Sequence, residues 1–350
     1  MKNENVITFN RPDDWHLHVR NEDVLAAVIG DTSRDFGRAI IMPNLPIPIT
    51  TRSMATAYRA EILGQLSDKS KFSPLMTCYL TDTTDPDDLR EGLKSGAYTA
   101  AKLYPAGATT NSDNGVTNIS CLDDVFDVLS ELGCPLLVHG EIVDDNVDVF
   151  DRENVFIQRI LIPLRARHKK LKIVFEHITT KQAVEYIENE NPSYLAATIT
   201  PHHLSINRNA MFEGGIRPHM YCLPIAKREE HRRTLLRAAC SGDRHFFLGT
   251  DSAPHSKEKK ESSCGCAGIY NSPSAISAYL QIFEQSEALG QFNDFASKNG
   301  PLFYNLPINT ELVTYRRGNK PLVFPNVVID ADSIEVFSPP FNLYWTKATS

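Results

Sequence analysis

Apolar and polar positions along this chain follow two alternating periods. Short β-branched or apolar runs closed by Pro, Gly, Asn or Asp occur at 6–9 together with 15–19, then at 39–42, 75–80, 99–104, 136–139, 173–177, 195–199 and 245–249. Each run predicts a strand, eight in all when 6–9 and 15–19 are taken as one. The segments between them carry helical spacing. The clearest starts at Ser120, a candidate N-cap, and runs through Leu122, Val125, Phe126, Leu129 and Leu132 to Gly133. That i, i+3, i+4, i+7 stripe predicts an amphipathic helix between two strands, stopped by a glycine.

Eight strands alternating with helices predict an α/β protein built as a closed (β/α)8 barrel. An open doubly wound sheet is the alternative, but neither GxGxxG nor GxxxxGK[ST] follows the first strand. Beyond about residue 305 the pattern weakens into Pro-punctuated extended pieces at 320–328 and 338–345. The expected organisation is therefore a barrel over 1–305 and a short C-terminal extension over 306–350 packed on it.

Composition narrows the function. The 350 residues hold 36 Lys+Arg against 43 Asp+Glu, a net charge of −7, with 42% hydrophobic and 23% charged residues. Those values are ordinary for a globular enzyme, and with no basic stripe they argue against nucleic acid or an anionic membrane as partner. No apolar run approaches the roughly 20 residues of a membrane span, and Met1 to Asn5 open no apolar signal region. Seven scattered cysteines without a CxxC pair predict reduced thiols. A cytoplasmic protein acting on a small molecule fits these features.

The candidate chemistry collects where a barrel places active sites, at the C-terminal ends of strands. His16 and His18 form an H-x-H on the first strand and share a face by alternation. Lys102 lies in the fourth strand, His139 ends the fifth, His177 ends the sixth and Asp251 follows the eighth. One histidine at a strand end is commonly plain packing. Four imidazoles and a carboxylate together suit Zn²⁺ or a similar metal, and so many ligands suit two ions better than one. Lys102 has three readings: a salt-bridged lysine, a Schiff-base amine, or a CO₂-derived carbamate bridging two cations. The surrounding imidazoles favour the last.

These residues carry a resemblance. His16-Leu17-His18 with Arg20, Met42-Pro43-Asn44, Lys102-Leu103-Tyr104-Pro105, Val138-His139-Gly140-Glu141, Glu176-His177 and Gly249-Thr250-Asp251-Ser252-Ala253-Pro254-His255 resemble the amidohydrolase superfamily. Within it they are similar to dihydroorotases of the shorter bacterial type, as are Arg217-Pro218-His219 and the 262–268 segment. The resemblance implies reversible cyclisation of N-carbamoyl-L-aspartate to L-dihydroorotate. It implies two zinc ions, one on His16, His18 and Asp251 and the other on His139 and His177, bridged by carboxylated Lys102 and a hydroxide. Asp251 would act as general acid/base. Arg20, Asn44 and His255 would hold the substrate carboxylate, backbone near Leu223 and Ala267 its pyrimidine edge, with His18 and His139 also facing it. Thr109 and Thr110, in the small polar loop 107–115, would close as a lid. A homodimer is implied as well.

Three further features carry blander expectations. His202-His203 read as structural, Cys264 and Cys266 as turn packing, and the mixed-sign run at 257–261 as a solvated loop. Two rivals stay open: another cyclic amidase such as a hydantoinase or allantoinase, and a catalytically silent barrel.

Overall fold

The computed structural model describes residues 5–263 and 265–348. Met1 to Glu4 and Cys264, which figure in the readings above, lie outside the described residues. Eight parallel strands stand in chain order: β2 (Asp14–Leu17), β3 (Arg38–Ile41), β4 (Ser73–Tyr79), β5 (Ala100–Leu103), β6 (Leu136–Val138), β7 (Ile173–Phe175), β8 (Leu195–Ile199) and β9 (Phe246–Leu248). The ring closes at a parallel bridge between Leu17 and Ser252, where His18 N donates to Ser252 O and Asp251 N to His16 O. This is the predicted (β/α)8 barrel.

Alternation along the strands sorts the side chains into two shells. Trp15, Ile40, Ala100, Leu137, Val174, Ala196 and Phe247 fill the barrel interior, closed from below by Phe303 and by Tyr304, which stacks on Trp15 at 4.2 Å between centroids. Neighbours of opposite parity, such as Ile41, Ala101, Val138, Phe175 and Leu248, join the outer core under the helices. The expected amphipathic helix is present over Asp123–Leu132, with Val125, Phe126 and Leu129 buried and Gly133 in the left-handed conformation at its end. Its start differs. A 3₁₀ turn over Ile119–Leu122 precedes it, and Asn118, not Ser120, supplies the capping oxygen.

One strand assignment is corrected. Residues 6–9, grouped above with the first barrel strand, form a separate strand β1 (Val6–Asn10). It pairs antiparallel with β10 (Leu312–Arg317), whose other edge carries β13 (Trp345–Lys347); β11 (Val327–Ile329) and β12 (Asp332–Ile334) pair with each other. The reason lies in burial. The barrel strand β2 is buried at every position, whereas β1 buries only Phe9 completely, the profile of a sheet with one wet face. The C-terminal segment seats Trp345 fully in the core, and its carbonyl accepts from Ser277 Oγ at 2.6 Å.

Candidate metal centre and substrate cavity

The site follows from the floor of the barrel by adding two residues. Ala100, Leu137 and Val174 point inward, so Lys102, His139 and Glu176 do too, one layer higher. His177 comes next and would face the helices if the strand continued. Instead β7 has ended, and a φ of 42° at His177 turns its ring to 4.8 Å from His16 and 4.9 Å from His139. His16 and His18 reach the same cavity from β2, whose pairing with β3 is irregular between Asp14 and Leu17. Beneath them Asp14 accepts from Thr250 N, Thr250 Oγ1 and His16 N, tying the first and last barrel strands together.

The donor atoms crowd around His16. Its Nε2 lies 3.2 Å from His18 Nε2 and 3.3 Å from Asp251 Oδ1, and His18 Nε2 lies 3.2 Å from that same oxygen. On its other side, His16 Nδ1 sits 2.9 Å from Glu176 Oε1 but out of line for a hydrogen bond, so both atoms are buried without a hydrogen-bond partner, as is His177 Nδ1. Buried polar atoms left this way call for an explanation such as an ion. Two groups of side chains there, His16 with His18 and Asp251, and His16 with Glu176 and His177, are placed so that they can hold a metal.

Charge supports the fit. Burial works against a proton on His16, but Glu176 and Asp251 outweigh it and raise its pKa to about 9. Burial drives His18 down to about 3, leaving it a neutral imidazole. Asp251 is held well below the usual carboxylate range: burial opposes its charge, and His16 and His18 prevail. The nest therefore favours one positive charge among neutral imidazoles and carboxylates, and a cation coordinated there would replace the proton. Lys102 is fully buried beneath, its Nζ paired with Glu176 and 4.5 Å from the Tyr104 ring centre; burial lowers its pKa. His139 is less committed, because its Nε2 is bonded to Glu141 Oε2 at 2.9 Å.

A narrow cavity opens onto these groups and takes in Arg20, Asn44, Thr109, Thr110, Leu223 and Ala267. Arg20 carries a φ of 59°, and Tyr58 Oη donates to its carbonyl. Its guanidinium reaches His255 Nε2 at 3.0 Å and Pro254 O at 3.2 Å, so His255 stands behind Arg20 at the cavity edge. The 107–115 loop lies against the cavity: Asn44 Nδ2 donates to Thr110 O, Asn111 Nδ2 to Asn44 O, and Thr110 Oγ1 reaches Ala267 O at 3.4 Å.

Four residues at the site escaped the sequence reasoning as functional candidates. Glu176 and Glu141 were visible only as neighbours of histidines, although strand parity already placed Glu176 inside. Tyr104 lines the cavity. Lys260 belongs to the run expected to be solvated, and this is corrected: it is 3% exposed, with its ammonium on three backbone carbonyls. His202 and His203 are buried; His203 bonds Thr200 Oγ1 and Pro224 O, and with Cys222 the pair forms a third cluster of donor types. Six cysteines among the described residues are free, Cys266 half-buried among them.

A parallel barrel with imidazoles and carboxylates converging at its strand ends defines a metal-binding hydrolase of the amidohydrolase type. No protein-family profile matches the chain. It is 55% identical over 311 residues to a dihydroorotase of Synechococcus sp. (strain RCC307), covering 89% of this chain and 90% of that one. It is 54% identical over 327 residues to a dihydroorotase of Cronobacter sakazakii, covering 93% of each. Among solved structures, Campylobacter jejuni dihydroorotase superposes with a TM-score of 0.89 at 33% identity, over 99% of this chain and 98% of that one. The Saccharomyces cerevisiae dihydroorotase in complex with 5-fluoroorotic acid gives 0.88 at 31%, over 98% of both. The chain belongs to the dihydroorotase family.

Proposed function

We propose that this protein is a zinc-dependent dihydroorotase of de novo pyrimidine (UMP) synthesis, interconverting N-carbamoyl-L-aspartate and L-dihydroorotate plus water. The observation that carries the reading is the stacking of two chemistries in one cavity: a metal-donor nest on the strand ends, and directly above it the Arg20 guanidinium backed by His255. A planar cation of fixed orientation matches a substrate carboxylate in two parallel hydrogen bonds. Asn44, with its side-chain oxygen buried and unpartnered, supports the same pocket.

On this reading His16, His18 and Asp251 would hold one zinc ion and His139 and His177 the other, with Lys102, carboxylated on Nζ, as a further ligand. Metal ions held there supply Lewis acidity and a water of lowered pKa. In the hydrolytic direction a C–O bond forms at the ring amide carbonyl and the C–N bond breaks. Asp251 accepts the proton released by the attacking water and delivers it to the departing ring nitrogen, reversing these roles on cyclisation. Leu223 and Ala267 present backbone groups to the pyrimidine edge, His18 and His139 face the substrate, and Thr109 and Thr110 cover it, excluding water. The 1–305 barrel carries this chemistry and 306–350 is an extension on it. The protein works in the cytoplasm as a homodimer, without nucleic acid or membrane. A net charge of −7 speaks against an anionic partner such as nucleic acid, and among the described residues no helix is long and apolar enough to span a bilayer.

The test is interconversion of the two compounds by purified protein before and after chelation and zinc readdition. Activity is expected to vanish on chelation and return with zinc. Metal-bound protein inactive on both compounds would overturn the assignment in favour of another cyclic amidase.

A further inference from the structure

We propose that Lys260 is a positioning residue that fixes the backbone wall of the substrate cavity by gathering two distant chain segments onto one buried ammonium. Its Nζ donates to Tyr221 O at 2.8 Å, Cys266 O at 2.9 Å and Gly268 O at 2.7 Å, one acceptor for each of its three protons. Tyr221 stands two residues before Leu223, and Cys266 and Gly268 flank Ala267. Leu223, Ala267 and Gly268 all line the cavity. The two segments also meet directly, where Gly268 N donates to Tyr221 O at 3.1 Å.

Burying a lysine this way is expensive. Desolvation draws its pKa down to about 8, and among the described residues no carboxylate forms an ion pair with it. Three hydrogen bonds to carbonyls offset part of that cost, and they tie the cation to this one place in the wall. Carbonyls from two segments some 45 positions apart are held within reach of a single nitrogen, which sets the spacing of the wall between them. The same wall fixes the carboxylate pocket, because at Gly268, with a φ of 148°, a Cβ would stand 2.8 Å from the His255 ring that backs Arg20.

The inference rests on the reading of Leu223 and Ala267 as substrate contacts, and the experiment separates the two. Lys260→Met is compared with the wild type in zinc-loaded form for turnover of dihydroorotate, binding of 5-fluoroorotic acid by calorimetry, zinc content and backbone hydrogen exchange. The expected result is a rise of about tenfold in KM and in the 5-fluoroorotic acid Kd, with kcat within about twofold and zinc content unchanged. Exchange should rise in 221–224 and 265–269 together while the barrel strands stay protected, a signal readable even where activity is poor. Lys260→Arg, which keeps the cation, should recover part of the affinity. Unchanged KM, or loosening confined to 257–263, or a fall in kcat and zinc content with KM constant, would overturn the role of Lys260. Wild-type protein inert towards dihydroorotate would instead overturn the functional reading, and this inference with it.

Discussion

Two regions meet at the mouth of this barrel. In the lower one Lys102, His139 and Glu176 ride two residues above the hydrophobic floor, and their direction is inherited from strands paired residue for residue with their neighbours. In the upper one Arg20, Leu223, His255 and Ala267 sit on connections, and single bonds such as Arg20 to His255 or Lys260 to Tyr221 O hold them. A strand end cannot move without breaking a ladder, whereas a loop contact can be lost one bond at a time. The lower region should therefore answer to mutation through kcat and metal content, and the upper one through KM.

The largest expected effect lies in the lower region. Asp251→Asn keeps the shape but removes the acid/base, so kcat should fall by about 10³ while KM moves little; steady-state kinetics with metal analysis checks both. A change mainly in KM would erase the distinction between the regions. Next comes Arg20→Met, which leaves a substrate carboxylate facing a cavity with no fixed cation. KM should rise by about 10², and Arg20→Lys should restore only a fraction of it because one ammonium cannot match a carboxylate in two parallel bonds.

The same contrast explains what could be read before the fold was known. His16, His18, Lys102 and His139 were legible because period-two alternation carries a side chain's direction along with its identity. Glu176 obeyed the same rule, yet a carboxylate beside a histidine gives no local sign that it lies against His16 and Lys102. His177 was found for its residue type, although its direction depends on a left-handed backbone that no periodicity encodes. The upper region was largely illegible from local pattern. Arg20, Asn44 and His255 emerged from resemblance to known relatives, and Lys260 was hidden in a run of mixed charge. The pairing of Val6 with Arg316 in β1 and β10 shows the same limit, since a strand's partner 310 positions away leaves no trace in its own sequence.

A smaller effect sharpens the comparison within the upper region. Gly268→Ala adds one carbon that meets His255 at 2.8 Å and Ala253 at 3.0 Å, in a backbone conformation that disfavours any side chain. His255 must shift and Arg20 loses its backing, so KM should rise by about tenfold, close to one lost hydrogen bond to a charged group. Thermal melting should drop by only a few degrees, since the barrel ladder is untouched.

The smallest effect expected is at the loop covering the cavity. Thr110 Oγ1 reaches Ala267 O at a long 3.4 Å, whereas the bonds that seat the loop, Asn44 Nδ2 to Thr110 O and Asn111 Nδ2 to Asn44 O, are 2.9 Å each and involve no threonine side chain. Thr110→Ala therefore removes an attachment weaker than either of these, and a loss of about threefold in kcat/KM is expected. Thr109→Ala should act through its contact with substrate alone, because its backbone N–H and carbonyl already bond Ser112 Oγ. Asn44→Ala, by contrast, removes the bond from Asn44 Nδ2 to Thr110 O together with a polar group of the carboxylate pocket, and should cost more than both threonines together. Kinetics on the three variants decides the matter: if the threonines outweigh Asn44, the loop acts by touching the substrate, and its seating on Asn44 is incidental.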